Sequence, residues 1–311
     1  MYTAVPAVVA GYPLLEALQA CRRQAMAAEP GPGRAPFNRI AHSTRTWMHG
    51  DRDFNTPTVD LLYSNAWIDL RQGPVVLEIP ARSRFFVVQL LDVHTENFFN
   101  LGTRNVPAGG ARYALLPPGA SPSGLRPLVV DGLRGAWREA MALIEAHTHA
   151  ASRAPWRFST RLGRFGQDHM LRAATAWKGI GALAADEAIY AAADYDQHGD
   201  LLHGQHTFRI RFTDGGDLPA DAFWSITLYG EDRFLPAVAP QRHALGSRSG
   251  LVKDADGSLS LHMGQRPPAG GPQSNWLPAP DAPFYLVLRL YHPQARLLEG
   301  RYAFPAVERL D

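Results

Sequence analysis

Six polar side chains at and after the end of an apolar strand are the first residues here whose types and spacing suit chemistry. In the stretch SRFFVVQLLDV (83–93), alternation sets Phe86, Val88, Leu90, Asp92 and His94 on one face. Thr95, Asn97, Asn100 and Arg104 follow directly. Polar groups gathered where a hydrophobic strand ends are a common way to floor a small-molecule pocket. The plainer reading is that Asp92 caps the next turn and Arg104 pairs with it. A second stretch, VDLLYSNAWIDL (59–70), places Tyr63, Asn65, Trp67 and Asp69 on one face and Leu62, Ser64, Ala66 and Ile68 on the other. A third, SNWLPAP (274–280), carries Asn275 and Trp276 in a Pro-rich loop, where the indole either plugs a core gap or stacks on a ligand.

These segments must be positioned by a mainly β chain. The sequence has 311 residues, with 46% hydrophobic and 19% charged, the balance of a globular protein. Gly 28 and Pro 25 favour many turns and short strands. Residues 14–28 read as a helix, and EPGPGRAP (29–36) breaks it. Residues 59–70, 74–80 and 83–93 read as three strands of an antiparallel meander, with another strand over 112–119. The middle, 133–150 and 167–193, is Ala-rich with helical spacing. Alternation returns at 206–213, 221–229, 258–263 and 283–292. The expected organisation is an N-terminal β domain with an opening helix (1–130), a helical connection (131–198) and a jelly-roll or sandwich-like domain (199–311).

Several chemistries are disfavoured. Only Lys178 and Lys253 are lysines among 31 basic residues, so imine-forming candidates are few. A net charge of +2 gives no reason to expect a nucleic-acid partner. One cysteine, Cys21, excludes an intrachain disulfide and reads as a buried thiol in a helix. KGIGALA (178–184) outlines a dinucleotide fingerprint but has no strand before it, so it reads as a small-residue helix contact. DYDQHGD (194–200) puts His198 at the fifth loop position and Gln205 at the twelfth, which excludes an EF-hand and leaves a turn. His198, His203 and His206, and the pair His147 and His149, are the only histidine groupings that invite a metal, and their spacing enforces no site. The N-terminal MYTAVPAVVAGYP lacks a basic region, and Pro6 and Pro13 interrupt its apolar stretch. The expectation is a cytoplasmic protein with no membrane partner.

The motifs TVDLLYSNAWIDL, GPVVLEIP, VVQLLD and NLGTRN, followed by FWSITLY, DADGSLSL, SNWLPAP and FYLVLRLY, resemble a bacterial family. In it, domain of unknown function 1254 precedes domain of unknown function 1214. AGYPL (10–14) is similar to its opening helix, and the pattern's Asp-Thr reads Asp60-Leu61 here. The resemblance implies two β-rich domains joined through a helical segment, the second jelly-roll-like, and an oligomer. It implies no agreed activity.

The leading expectation is a small-molecule enzyme using acid–base chemistry without a metal or cofactor, acting on a polar organic substrate by hydrolysis, elimination or isomerisation in a pocket between the two β domains. Asp60 or Asp92 would be the base, Tyr63 a proton donor and Arg104 an anchor for a carboxylate or oxyanion. Trp67, His94, Asn97, Asn100, Asn275 and Trp276 would line the site. The alternatives are a non-catalytic binder of a sugar-like or aromatic ligand, and a structural homo-oligomer joined through aromatic strand faces.

Overall fold

The computed structural model describes residues 4–26, 33–116, 140–144 and 156–311. The chain divides into two compact units that are not consecutive in sequence. The first takes Met1–Arg45, Leu62–Thr148 and Phe165–Gly181; the second takes Thr46–Leu61, His149–Arg164 and Ala182–Asp311. This division interleaves the segments that a linear reading would place in successive domains.

In the first unit, helix α1 (Ala4–Ala25) starts ten residues earlier than its periodicity suggested and runs through Pro13. Pro6 falls in its first turn, where a missing N–H costs nothing. By length and composition this helix is apolar enough to cross a membrane, and its continuity corrects the reading of Pro6 and Pro13 as interruptions. Its Val8, Val9 and Tyr12 pack with Ala140 and Ile144 of α2 (helical over 140–144) and with Ala173 and Ala176 of α3 (His169–Gly179). Asp168 caps α3 by accepting from the Leu171 amide at 3.0 Å. Gly179 is the last residue of α3 and Gly181 turns with φ +78°, so the GxGxxA segment is a helix exit rather than a helix contact.

Among the described residues, the strands of this unit pair as three separate ribbons rather than as a meander. β1 (Ala41–His42) pairs with β2 (Ser64–Asn65), β3 (Val75–Pro80) with β6 (Gly110–Leu115), and β4 (Val87–Leu91) with β5 (Asn97–Gly102), all antiparallel. Strand β3 skips its neighbour because β4 pairs with β5 as a hairpin. The β3–β6 ribbon starts at Gly110, whose φ is +87° and whose missing side chain leaves room for the Ile79 carbonyl.

Among its described residues, the second unit has two four-stranded sheets sharing one hydrophobic core. Their strands are β7 (Ala188–Ala193), β8 (Phe208–Phe212), β9 (Ala220–Gly230), β10 (Ala244–Gly246), β11 (Leu259–Gly264), β12 (Trp276–Pro278), β13 (Phe284–Pro293) and β14 (Glu308–Arg309). The orders are β10-β9-β13-β7 and β12-β11-β8-β14. Every pair is antiparallel except β11–β12, which is parallel. A one-turn helix, α4 (Ala295–Leu298), follows β13. Ile226 and Leu228 of β9 and Leu286, Leu288 and Leu290 of β13 meet Phe208, Ile210, Leu261 and Met263 of the other sheet. Residues 188–193, expected to be helical, are strand β7: six register pairs to β13 and the burial of Ile189, Ala191 and Ala193 outweigh the helix propensity of alanine.

Leu288 is fully buried on the central strand. The Leu288→Ala variant is expected to lose about 3 kcal/mol in urea unfolding, whereas Leu62→Ala, at an exposed position, should change stability by less than about 0.5 kcal/mol.

Candidate functional site

The strongest concentration of polar side chains with shared partners lies on the face of β9 and β13 that points away from the core. Alternation puts Ser225, Thr227 and Tyr229 of β9 beside Tyr285, Val287 and Arg289 of β13, and the register pairs Ser225 with Arg289 and Tyr229 with Tyr285. All of these residues are buried, Arg289 to 3% exposure. The guanidinium Nη1 donates to Thr227 Oγ1 at 3.1 Å, and Nη2 donates to Tyr229 Oη at 2.8 Å and to the Thr56 carbonyl at 2.9 Å. Tyr229 in turn donates to the Pro57 carbonyl at 2.5 Å, and Thr56 Oγ1 lies 3.0 Å from Tyr285 Oη. The two tyrosine rings stack with centroids 5.4 Å apart. Burial pushes the Tyr285 phenol well above its ordinary value, so it stays protonated.

Asp60 joins this face. Its Oδ2 accepts from Ser225 Oγ at 2.5 Å and from Thr58 Oγ1 at 2.9 Å, while the Asp60 amide donates back to Thr58 Oγ1 at 3.3 Å. The carboxylate is half-buried, Ser225 fully buried. Trp47 and Val59 pack on Tyr229, Leu235, Tyr285 and Val287, which seats the Thr46–Leu61 segment over the sheet. A carboxylate held by two hydroxyls can accept a proton, and a buried guanidinium and two phenols further along the same strand pair can stabilise negative charge.

The other expected residues fall elsewhere. Asp92 is exposed and serves the β4–β5 turn, its Oδ1 accepting from the His94 amide at 2.8 Å and the Glu96 amide at 2.9 Å. His94 is exposed on that turn, and Arg104 is exposed on the turn after β5. Asn97 and Asn100 are buried together, the Asn97 amide donating to Asn100 Oδ1 at 3.0 Å; Asn105 then donates to the Asn100 carbonyl at 2.8 Å. The neighbouring Glu96 accepts from Arg172 at 2.7 Å and from the Phe165 amide at 3.0 Å, tying the hairpin turn to α3. Tyr63, Asn65, Trp67 and Asp69 share the half-buried face that alternation indicated. Gln24 Oε1 accepts from Trp67 Nε1 at 2.9 Å and from Asn65 at 3.1 Å. Hydrogen bonds from Arg71 hold the Asp69 carboxyl down at about 2.

In the second unit, the Asn275 side chain accepts from the Val252 amide at 2.9 Å and donates to the Val252 carbonyl at 2.7 Å and the Ser260 carbonyl at 2.9 Å. Trp276 Nε1 donates to the Gly264 carbonyl at 2.9 Å. Both side chains bind their own backbone across β11, β12 and the loop before β11. Asp196 organises the turn at 194–200 through the His198 and Asp200 amides, at 2.8 and 3.1 Å. Among the described residues no group of three His, Cys, Asp or Glu side chains could hold a metal ion, and His147 and His149 lie outside them. Ser225, Thr227, Tyr229, Tyr285, Arg289, Thr56 and Thr58 escaped the sequence reading as site residues. The one visible signal was an arginine inside the apolar run FYLVLRLY.

Residues 37–173 match the family model described as protein of unknown function (DUF1254), and residues 187–295 that described as protein of unknown function (DUF1214). The crystal structure of the VPA0106 protein from Vibrio parahaemolyticus is similar, with TM-score 0.63 and 17% identity over 99% of each chain. That of a putative uncharacterized protein from Burkholderia cenocepacia gives TM-score 0.51 and 10% identity over 96% of this chain and 88% of that one. At these identities the likeness concerns the fold. No curated protein matches the sequence.

Two expectations follow. Asn275→Ala leaves the carbonyl of buried Ser260, and that of Val252, without their donor and should cost about 2–4 kcal/mol in urea unfolding. Burial holds the His243 and His262 imidazoles below their ordinary 6.5. The unfolded chain therefore binds more protons than the folded one just below that value, and stability should fall as pH drops through it, by at most about 1.4 kcal/mol per pH unit for each group. His243→Gln should show a shallower decline in the same titration.

Proposed function

Starting from the fact that this chain belongs to the family in which a DUF1254 region precedes a DUF1214 region, we propose that it is a small-molecule enzyme working by acid–base chemistry on a polar organic substrate, with Asp60 as general base. The observation that carries this reading is the 2.5 Å hydrogen bond from the buried Ser225 hydroxyl to Asp60, which brings a half-buried carboxylate to the strand pair bearing Arg289. Asp92, the other carboxylate considered for the role, is exposed and closes its own hairpin turn by accepting from two of that turn's backbone amides.

In this reading Thr58 and Ser225 fix the carboxylate's orientation by donating to one oxygen, and Asp60 takes a proton from a carbon or an attacking water. The negative charge that then develops on the substrate is met by donors of the Arg289–Tyr229–Tyr285 group, fixed in place before the reaction begins. The same parts serve hydrolysis, elimination or isomerisation, and the substrate decides which: an acyl group attacked by water, a leaving group next to the deprotonated carbon, or neither.

The test is a turnover screen of esters, lactones, hydroxy acids and keto acids with the wild-type protein, followed by Asp60→Asn and Asp92→Asn on whichever substrate turns over. Asp60→Asn keeps an acceptor for Ser225 and should retain the fold while losing about 10²–10⁴-fold in kcat/KM. Asp92→Asn should keep most of the rate. An Asp60→Asn enzyme within about twofold of wild type would remove Asp60 from the chemistry.

A further inference from the structure

The polar face of β9 and β13 is filled by the protein itself. Arg289 Nη2 and Tyr229 Oη give their hydrogen bonds to two successive main-chain carbonyls, those of Thr56 and Pro57, and Tyr285 Oη meets the Thr56 hydroxyl. A guanidinium and two phenols converging on neighbouring oxygens is the donor arrangement that recognises a carboxylate. Both partners lie on the Thr46–Leu61 segment, more than 170 residues away in sequence.

The outer half of that segment is held by contacts suited to release, while the Thr56 amide donates to the Arg233 carbonyl at 2.8 Å and Asp60 is held on Ser225. The outer half rests on the Arg52–Asp232 pair, exposed on both sides, on the Arg52 guanidinium over the Phe234 ring, and on a bond between His49 Nδ1 and the Leu235 carbonyl. Exposed ion pairs of this kind contribute little. At its centre Thr56 has φ +49°, a left-handed conformation that a β-branched residue adopts only under strain, and this conformation supplies the carbonyl that Arg289 receives. Trp47 and Val59 give it apolar footing at either end.

We propose that Thr46–Leu61 is a displaceable strap whose Thr56 and Pro57 carbonyls occupy a recognition site for a small organic carboxylate, formed by Arg289, Tyr229 and Tyr285. A substrate carboxylate takes the place of the two carbonyls as the centre of the strap withdraws. The exchange trades neutral acceptors for a charged one, so the Arg289 bond becomes charge-assisted on both sides and shortens. The inference deepens the reading of this face as the enzyme's site by naming the substrate's anchoring group.

It is tested by binding rather than by turnover, so it and the assignment of Asp60 as base can fail separately. Hydrogen exchange of the full-length protein is measured by mass spectrometry with sodium succinate, with sodium benzoate, and with sodium chloride at equal ionic strength. Faster exchange across 46–61 with either carboxylate and none with chloride supports the strap. In Tyr229→Phe, which keeps the aromatic stack and loses one donor, basal exchange of the strap should rise and the carboxylate response should weaken by about tenfold in midpoint concentration. Exchange unaffected by both carboxylates in the wild type, or altered equally by chloride, overturns the proposal. A Tyr229→Phe response identical to wild type overturns the assignment of the donors.

Discussion

A guanidinium at 3% exposure constrains everything around it. Arginine stays charged in a protein interior, and leaving its donors without acceptors costs several kcal/mol. Arg289 finds Thr227 and Tyr229 on the adjacent strand, but the Thr56 carbonyl must come from elsewhere. This explains why Thr46–Leu61 belongs to the second unit although the strands flanking it belong to the first. The left-handed turn at Thr56, the buried Pro57 carbonyl and the seating of Asp60 on Ser225 all follow from delivering acceptors to one sheet face.

The first unit satisfies its buried polar groups over shorter distances. Asn97, Asn100 and Asn105 bond one another within one hairpin, and Asp92 closes the turn beside them. Two-stranded ribbons are marginal alone in water, so this unit depends on the apolar cluster among α1, α2 and α3 and on Glu96, which links a ribbon to α3. The thiol of Cys21 is buried in α1, and burial pushes it up from its ordinary value, which suits a packing role.

Much of the fold is legible in local pattern. Strands β8, β9, β11 and β13 lie within two residues of the spans that alternation indicates, and the two-faced reading of 62–69 agrees with burial. Strand β7 is not legible, because an alanine run carries no period-2 contrast and its strand character comes from β13. The pairing of β3 with β6 is hidden for a related reason: short connections suggest a meander until β4 and β5 pair with each other. Asp60 could be singled out as a carboxylate near a patterned strand. Its partner Ser225 lies 165 residues on, and no local spacing joins them. Asn275 and Trp276 stood out for their types, and their polar atoms bond the neighbouring backbone.

Ser225, Thr227, Tyr229 and Arg289 follow the alternation expected of a strand with one face in the core and the other in water. That face is instead buried, and its hydroxyls and guanidinium are kept where apolar side chains of similar volume would be neutral or more stabilising. The opposite face of the same strands is a fully apolar core, so the fold can fill space in the ordinary way. Stability alone therefore gives no reason for a charge and four hydroxyls on this face. The proposed recognition of a carboxylate would supply one, because it needs donors already fixed and already stripped of water before the ligand arrives.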